Sequence, residues 1–264
     1  MSGAREPTEA LAGGLITPGR VILALLVTAA LAVLVSLGNW QVERLHWKEA
    51  LIAAATERPD APAVPAPGPR DWPDFDIAEW DYRRVSLTGT FGPREAHAFI
   101  SLPEPRGPLG GPGYFVVAPF TTEDGWTVMV NRGFVPQGMK APQARPGSEP
   151  PEGTVTVEGI VRQNDQPNFL TPAPDPRTRT LFSRDIGTLA AFLDVGVGTV
   201  APYSVDLVAQ ETPPGGLPQA GEYRVNFPNN HLGYALTWYG LAACLVGVLV
   251  AAAVGRRGSR ARGT

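Results

Sequence analysis

Two apolar runs bracket this chain, and they limit its fold more than anything between them. Val21 to Leu37 (VILALLVTAALAVLVSL) is 17 residues without a charge, and Leu232 to Val254 (LGYALTWYGLAACLVGVLVAAAV) is 23. A bilayer core of about 30 Å takes roughly 20 apolar residues as helix. Both runs therefore read as transmembrane helices, over residues 21–38 and 231–254. The first run exceeds the roughly 7–15 residues of a signal-peptide core, and twenty residues precede it, which points to a retained anchor. Glu6 and Glu9 argue against a transit peptide. Arg256, Arg257, Arg260 and Arg262 form a basic tail, 255–264. By the positive-inside rule that tail is cytoplasmic. Two spans then put residues 1–20 on the same side and 38–231 outside. The outside portion holds 16 Lys+Arg against 23 Asp+Glu, a net of −7, with no sign of nucleic-acid binding.

The first helix is expected to outrun the membrane. Trp40, Gln41, Arg44, Trp47, Lys48, Leu51 and Ile52 recur at spacings of three and four, which predicts a protruding helix to about residue 56. Trp40 and Trp47 suit an interfacial aromatic belt, and Arg44 and Lys48 can reach lipid headgroups. Six prolines between Arg58 and Pro73 predict an extended, semi-stiff linker over 57–73. Residues 74–228 read as a β-rich domain. Strands are expected at Arg84–Phe91, Ala96–Leu102, Tyr114–Thr121, Trp126–Phe134, Thr154–Arg162 and Tyr203–Ala209, with a short one near Leu181–Arg184. Glu123-Asp124-Gly125 is a hairpin signal, and Asp185 can cap a helix from Ile186 to Leu193. Strands do not alternate with long helices, which excludes a parallel nucleotide-binding sheet. The fold class is thus a membrane protein whose two transmembrane α-helices flank a mostly antiparallel β (α+β) extracytoplasmic domain, a sheet or partly closed barrel.

No catalytic constellation can be assembled, so no enzyme is expected. The G-x-S-x-G, H-E-x-x-H and P-loop patterns are absent, and the loop Gly107 to Gly113 has too much proline to cradle a phosphate. Asp124, Glu158 and Asp165 read as solvated surface, and Cys244, mid-span, as a packing residue. Copper carriage would need soft ligands, and the segment between the spans has no Cys and only Met129 and Met139. His46 reads as an interfacial polar group and His97 as a strand-face residue. His231 is different, because it opens the second span. On a helix it shares a face with Tyr234, Ala235, Trp238 and Ala242. That stripe suits a haem, with an imidazole for the iron, aromatics for the ring, and small residues that admit a flat object or a neighbouring helix. It suits equally a helix start capped by Asn229 or Asn230 and anchored in the interface by its aromatics.

Four motifs in order resemble the surfeit locus protein 1 family, assembly factors for haem–copper terminal oxidases. Trp40-Gln41, Arg44, Trp47-Lys48 and Leu51-Ile52 resemble its W-Q-x-x-R-x-x-W-K-x-x-L-I run. Gly113-Tyr114 with Pro119-Phe120 resembles its G-Y-x-x-x-x-P-F strand, and Val130 to Pro136 its V-N-R-G-[WF]-V-P motif. Asn230-His231, Tyr234-Ala235 and Thr237-Trp238 resemble the opening of its second span. The resemblance implies a bacterial-type cytochrome c oxidase assembly factor in the cell inner membrane, with its domain in the periplasm. It would bind or hand over haem a while the catalytic subunit of the oxidase matures. The implied partners are that subunit, the machinery that makes haem a, and the lipid bilayer. His231 is the implied axial iron ligand, with Tyr234 and Trp238 beside it and Arg44 or Lys48 expected to meet the propionates. The alternative is a structural chaperone that never touches haem. For Asn131-Arg132-Gly133, turn chemistry with Arg132 paired locally competes with a partner-docking role.

Overall fold

A computed structural model describes residues 17–196, 200–223 and 229–261, with side chains described as far as residue 256. The expected cytoplasmic segment before residue 17, the domain's last residues 224–228, and the side chains of the tail arginines beyond Arg256 lie outside that description. By their contacts the residues form two compact units, 1–50 with 227–264, and 51–226.

The first unit is made by two helices. Helix α1 runs Pro18–Glu57 and helix α4 runs His231–Ala261. Both contain stretches long and apolar enough to cross a membrane, with mean hydropathy 2.7 and 2.0. Their burial is periodic. On α1, Val27, Leu31, Leu34, Gly38, Gln41, Leu45 and Lys48 are less exposed than most neighbours, at steps of four and three. On α4 the matching row is His231, Ala235, Trp238, Ala242 and Leu245. Such spacing keeps one face of each helix turned toward a partner, and small residues let the backbones approach. Gly38 shows how close that approach is, since a Cβ there would lie 2.5 Å from the Tyr239 ring. The Tyr239 hydroxyl donates to Asn39 Oδ1 at 2.7 Å.

In the second unit, eight strands follow the order β1-β2-β6-β8-β5-β4-β3-β7, and β2 also pairs with β4. They are β1 Val64–Pro65, β2 Arg84–Phe91, β3 Ala96–Leu102, β4 Gly111–Thr122, β5 Thr127–Pro136, β6 Val155–Arg162, β7 Thr180–Leu181 and β8 Val200–Leu207. Pairing around β2-β6-β8-β5-β4 and back to β2 closes a five-stranded barrel. Its neighbours run antiparallel except β5 and β8. Gly89 makes the closure possible, because a Cβ there would stand 2.1 Å from the Thr121 carbonyl oxygen. Alternate residues point inward: Val85 and Leu87, Phe120, Val128 and Val130, Val157 and Val161, and Tyr203, Val205 and Leu207 form the interior. Helix α3, Ile186–Leu193, is capped by Asp185, whose carboxylate accepts from the Thr188 N–H at 2.8 Å. Its Ile186, Leu189, Ala190 and Leu193 cover Ala96, Val117 and Met129.

The proline-rich segment is not a free linker. It has two 3₁₀ turns, Arg58–Asp60 and Trp72–Asp74, and β1 lies parallel to β2 at the sheet edge. Prolines offer no N–H to a ladder, so side chains and carbonyls fasten the segment instead. The Arg58 guanidinium donates to the Ala78 and Asp81 carbonyls. The Tyr203 hydroxyl donates to Pro67 O at 2.7 Å, and Trp72 meets Trp126 edge to face at 5.7 Å. With Phe75, Ile77 and Trp80, the last two on the short helix α2 (Ile77–Trp80), Trp72 plugs one end of the barrel.

Candidate functional site

His231 is the first residue of α4 and is half-buried. Its backbone N–H reaches the Asn229 carboxamide at 3.4 Å, a loose cap. Its ring is held more firmly: Nδ1 lies 2.7 Å from Gln41 Oε1 on α1. An amide oxygen only accepts, so Nδ1 carries the proton and donates. In the neutral ring that tautomer leaves the Nε2 lone pair open, the form in which an imidazole ligates a metal. Ligating histidines are commonly oriented in this way, by a hydrogen bond from the nitrogen that does not bind the metal. A haem iron therefore suits this ring on the chemistry of its donor set.

Gln41 was legible only as part of a motif. Its signal lay in its position, a polar residue in the α1 row that otherwise reads Leu34, Gly38, Leu45; it is buried to 8% exposure. Of the other expected site residues, Trp238 is half-buried along the same row as His231, while Tyr234 is 57% exposed. Ala235 and Ala242 are buried at 2% and 7%, so within this unit the small residues admit the neighbouring helix. Arg44 and Lys48 lie over the Trp47 ring, with the Arg44 guanidinium 5.2 Å and the Lys48 ammonium 5.9 Å from its centroid. The structure thus joins His231 to Gln41, and gathers Arg44 and Lys48 on Trp47.

The remaining histidines do not add ligands. His46 is exposed, and His97 is buried in β3 with Nε2 3.2 Å from Glu95 Oε1. Among the described residues no three His, Cys, Asp or Glu side chains gather as a metal site. Cys244 is exposed and free. Glu158 and Asp165, expected as unpartnered surface, have partners: Arg84 at 2.6 Å and Arg184 at 3.3 Å. Arg184 also reaches Asp206 at 2.6 Å, a bridging role within the sheet's charged face.

In Asn131-Arg132-Gly133 the structure shows the turn chemistry. Val116 pairs with Gly133 and Val117 with Asn131, so Arg132 is the extra residue of a β-bulge. Asn131 Oδ1 accepts from the Gly133 N–H at 3.0 Å. Gly133 sits at φ +132, where a Cβ would come within 2.4 Å of the Gln219 carbonyl, so only glycine fits. The bulge turns the Arg132 side chain inward, where Nη2 donates to Ser148 O at 2.7 Å.

Comparison with known proteins decides the family. The model of the SURF1 family matches residues 28–243. The chain belongs to the SURF1 family. A SURF1-like protein of Monosiga brevicollis is 33% identical over 228 residues, covering 81% of each chain. Surfeit locus protein 1 of Rattus norvegicus is 34% identical, covering 78% of this chain and 68% of its own, and that of Homo sapiens is 33% identical, covering 78% and 69%. The matched span of this SURF1-family chain takes in every residue of the Gln41–His231 site and the Asn131-Arg132-Gly133 bulge.

Proposed function

We propose that this SURF1-family protein assists the assembly of cytochrome c oxidase by holding haem a at His231 and passing it to the maturing catalytic subunit. The observation that carries the reading is the Gln41–His231 hydrogen bond, which fixes the imidazole and leaves Nε2 as a donor. When bound, a haem would supply an iron centre, and the His231 imidazole would hold it. Trp238 and Tyr234, two turns and one turn along α4, offer rings to the porphyrin face. Arg44 and Lys48 are the cations for its propionates. One imidazole on a half-exposed helix end would hold the group less firmly than a closed two-ligand cage, as a carrier requires. The protein acts without turnover, in a bacterial inner membrane, with both termini cytoplasmic and the barrel periplasmic. The haem a synthesis machinery is the natural donor.

The test is the absorbance of full-length protein purified from a host that makes haem a. A Soret band in the wild type that is lost in His231→Ala supports the reading. A colourless wild type leaves a structural chaperone that binds no haem, and a variant that keeps the band removes His231 as the residue that holds it.

A further inference from the structure

The contact rows of the helix pair leave its register open. Val27, Leu31, Leu34, Gly38, Gln41 and Leu45 on α1, and Ala235, Trp238, Ala242 and Leu245 on α4, recur at steps of four and three. Rows of that period fit one another again after a slide of one or two turns, about 5.4 Å each. Lipid is as apolar as the rows, so burial does not choose between the alternatives. Something else has to hold Gln41 opposite His231, and their own bond is poorly suited to the task. His231 is the first residue of α4 and has a loose cap at 3.4 Å. Helix ends fray, and a glutamine side chain can follow the ring through several rotamers.

Tyr239 is better placed. It stands eight residues beyond His231, about 12 Å along α4. Helical side chains lean back toward the N-terminus, here toward His231. The Tyr239 ring lies on Gly38, so close that an added Cβ would stand 2.5 Å from Cε1 and 2.8 Å from Cζ. At the end of that ring the hydroxyl donates to Asn39 Oδ1 at 2.7 Å. Such a seat exists once on this stretch of α1: between Arg20 and Ala50, Gly38 is the only glycine and Asn39 the only asparagine. One turn away the ring would meet Leu34 or Val42, and two turns away Leu31 or Leu45, so a side chain fills the space each time.

A displaced helix would lose the ring contact and leave a phenol and a carboxamide unpaired at the edge of hydrocarbon. By a penalty of this kind a single polar residue fixes the register of an otherwise uniform helix pair. We propose that Tyr239 is a positioning residue for His231: its ring on Gly38 and its hydroxyl on Asn39 set the register of the two helices, and through it the Gln41–His231 bond. The proposal rests on the reading of His231 as the haem-holding group, but its main test needs no haem.

Full-length protein, isotopically labelled in its histidine nitrogens and purified without haem in detergent, is read by nitrogen NMR at a pH where the imidazole is neutral. The three histidines are told apart with His231→Gln. The wild type is expected to show His231 in the Nδ1–H form alone, held by Gln41. Tyr239→Phe keeps the ring but loses the hydroxyl, and Asn39→Leu loses the acceptor. Both are expected to turn that signal into a mixture of the two tautomers. Asn39→Asp keeps an acceptor and is expected to keep the wild-type signal. Thr237→Val removes an α4 hydroxyl that bonds within its own helix, to Gly233 O at 2.9 Å, and is expected to change nothing. In haem-loaded protein, Tyr239→Phe is expected to weaken retention about threefold to tenfold, the usual effect of losing one interhelical bond in a membrane. The wild-type signal in Tyr239→Phe or Asn39→Leu, or a mixture in Thr237→Val or in the wild type itself, overturns the proposal. A colourless wild type with the expected tautomer changes would sink the haem reading alone, and leave Tyr239 as the residue that orients the imidazole.

Discussion

The helix pair and the barrel use buried polar groups in opposite ways. In the barrel they come in clusters, with Arg132, Arg145, Ser148, Glu95 and His97 sharing bonds across strands and loops. In the helix pair, the contact at the site is one hydrogen bond, Gln41 to His231, in rows that apart from Lys48 are filled by apolar and small residues. A cluster spreads its loss over several partners, whereas a single bond either orients the ring or does not. The lesson is that stability and function are separable here, and substitutions can test this one unit at a time.

The largest effect belongs to the barrel interior. Phe120 is fully buried against Phe91, centroids 4.8 Å apart. Phe120→Ala is expected to cost about 3–5 kcal/mol in denaturant unfolding of the domain. If the two units are independent in the way described, haem retention per folded molecule stays unchanged. Next comes the helix pair. Gln41→Leu removes the partner that orients His231 and is expected to weaken haem retention about 10–100-fold, measured by haem transfer to apomyoglobin. Barrel unfolding is expected not to move. Equal effects of Gln41→Leu on both readouts would erase the distinction.

A smaller effect tests the fastened proline segment. Tyr203→Phe deletes the bond to Pro67 O, but that carbonyl still accepts from Trp72 Nε1 at 3.0 Å. The expected loss is about 1 kcal/mol in urea unfolding. The smallest is a pH effect. Burial opposes the charge on Glu95, yet the hydrogen bond from His97 and the Arg145 guanidinium outweigh it and hold the carboxyl below its ordinary 4.5. A depressed folded pKa stabilises above the unfolded value, and that contribution fades as pH falls through the folded pKa. Asp81 works the other way, because burial raises its pKa against the pull of Arg162. Unfolding titrated from pH 7 to pH 3 is therefore expected to lose less stability in Glu95→Gln than in the wild type. A parallel pair of curves would show that Glu95 does not carry the acid sensitivity.

Much of the barrel was legible because its strands are simple. Arg84–Phe91 alternates apolar and polar or small residues, Ala96–Leu102 follows the Gly92-Pro93 turn, and β2 and, beside the barrel, β3 keep those bounds. Strand order was not legible. The parallel pairing of β5 with β8 and the closing contact of β2 with β4 depend on side chains meeting across the interior, which no local period encodes. The proline segment misled for a related reason: its composition forbids helix and ladder, but says nothing of Tyr203 waiting at Pro67. At the site, His231 stood out as an ionisable group at a span's mouth. Gln41 did not, since a glutamine just past the apolar run of a long helix looks like ordinary surface until a second helix faces it.

The placement of β8 between β5 and β6 has a consequence for biogenesis. A chain emerging from its N-terminus can form the β4–β5 hairpin early, yet the ring stays open until residues 200–207 arrive to fill the gap. Until then β5 and β6 each present a bare edge, the kind of surface that recruits stray strands. Such late closure is slow by its topology. A protein that helps another complex mature must first pass its own vulnerable interval, and truncation anywhere before residue 200 would make that interval permanent.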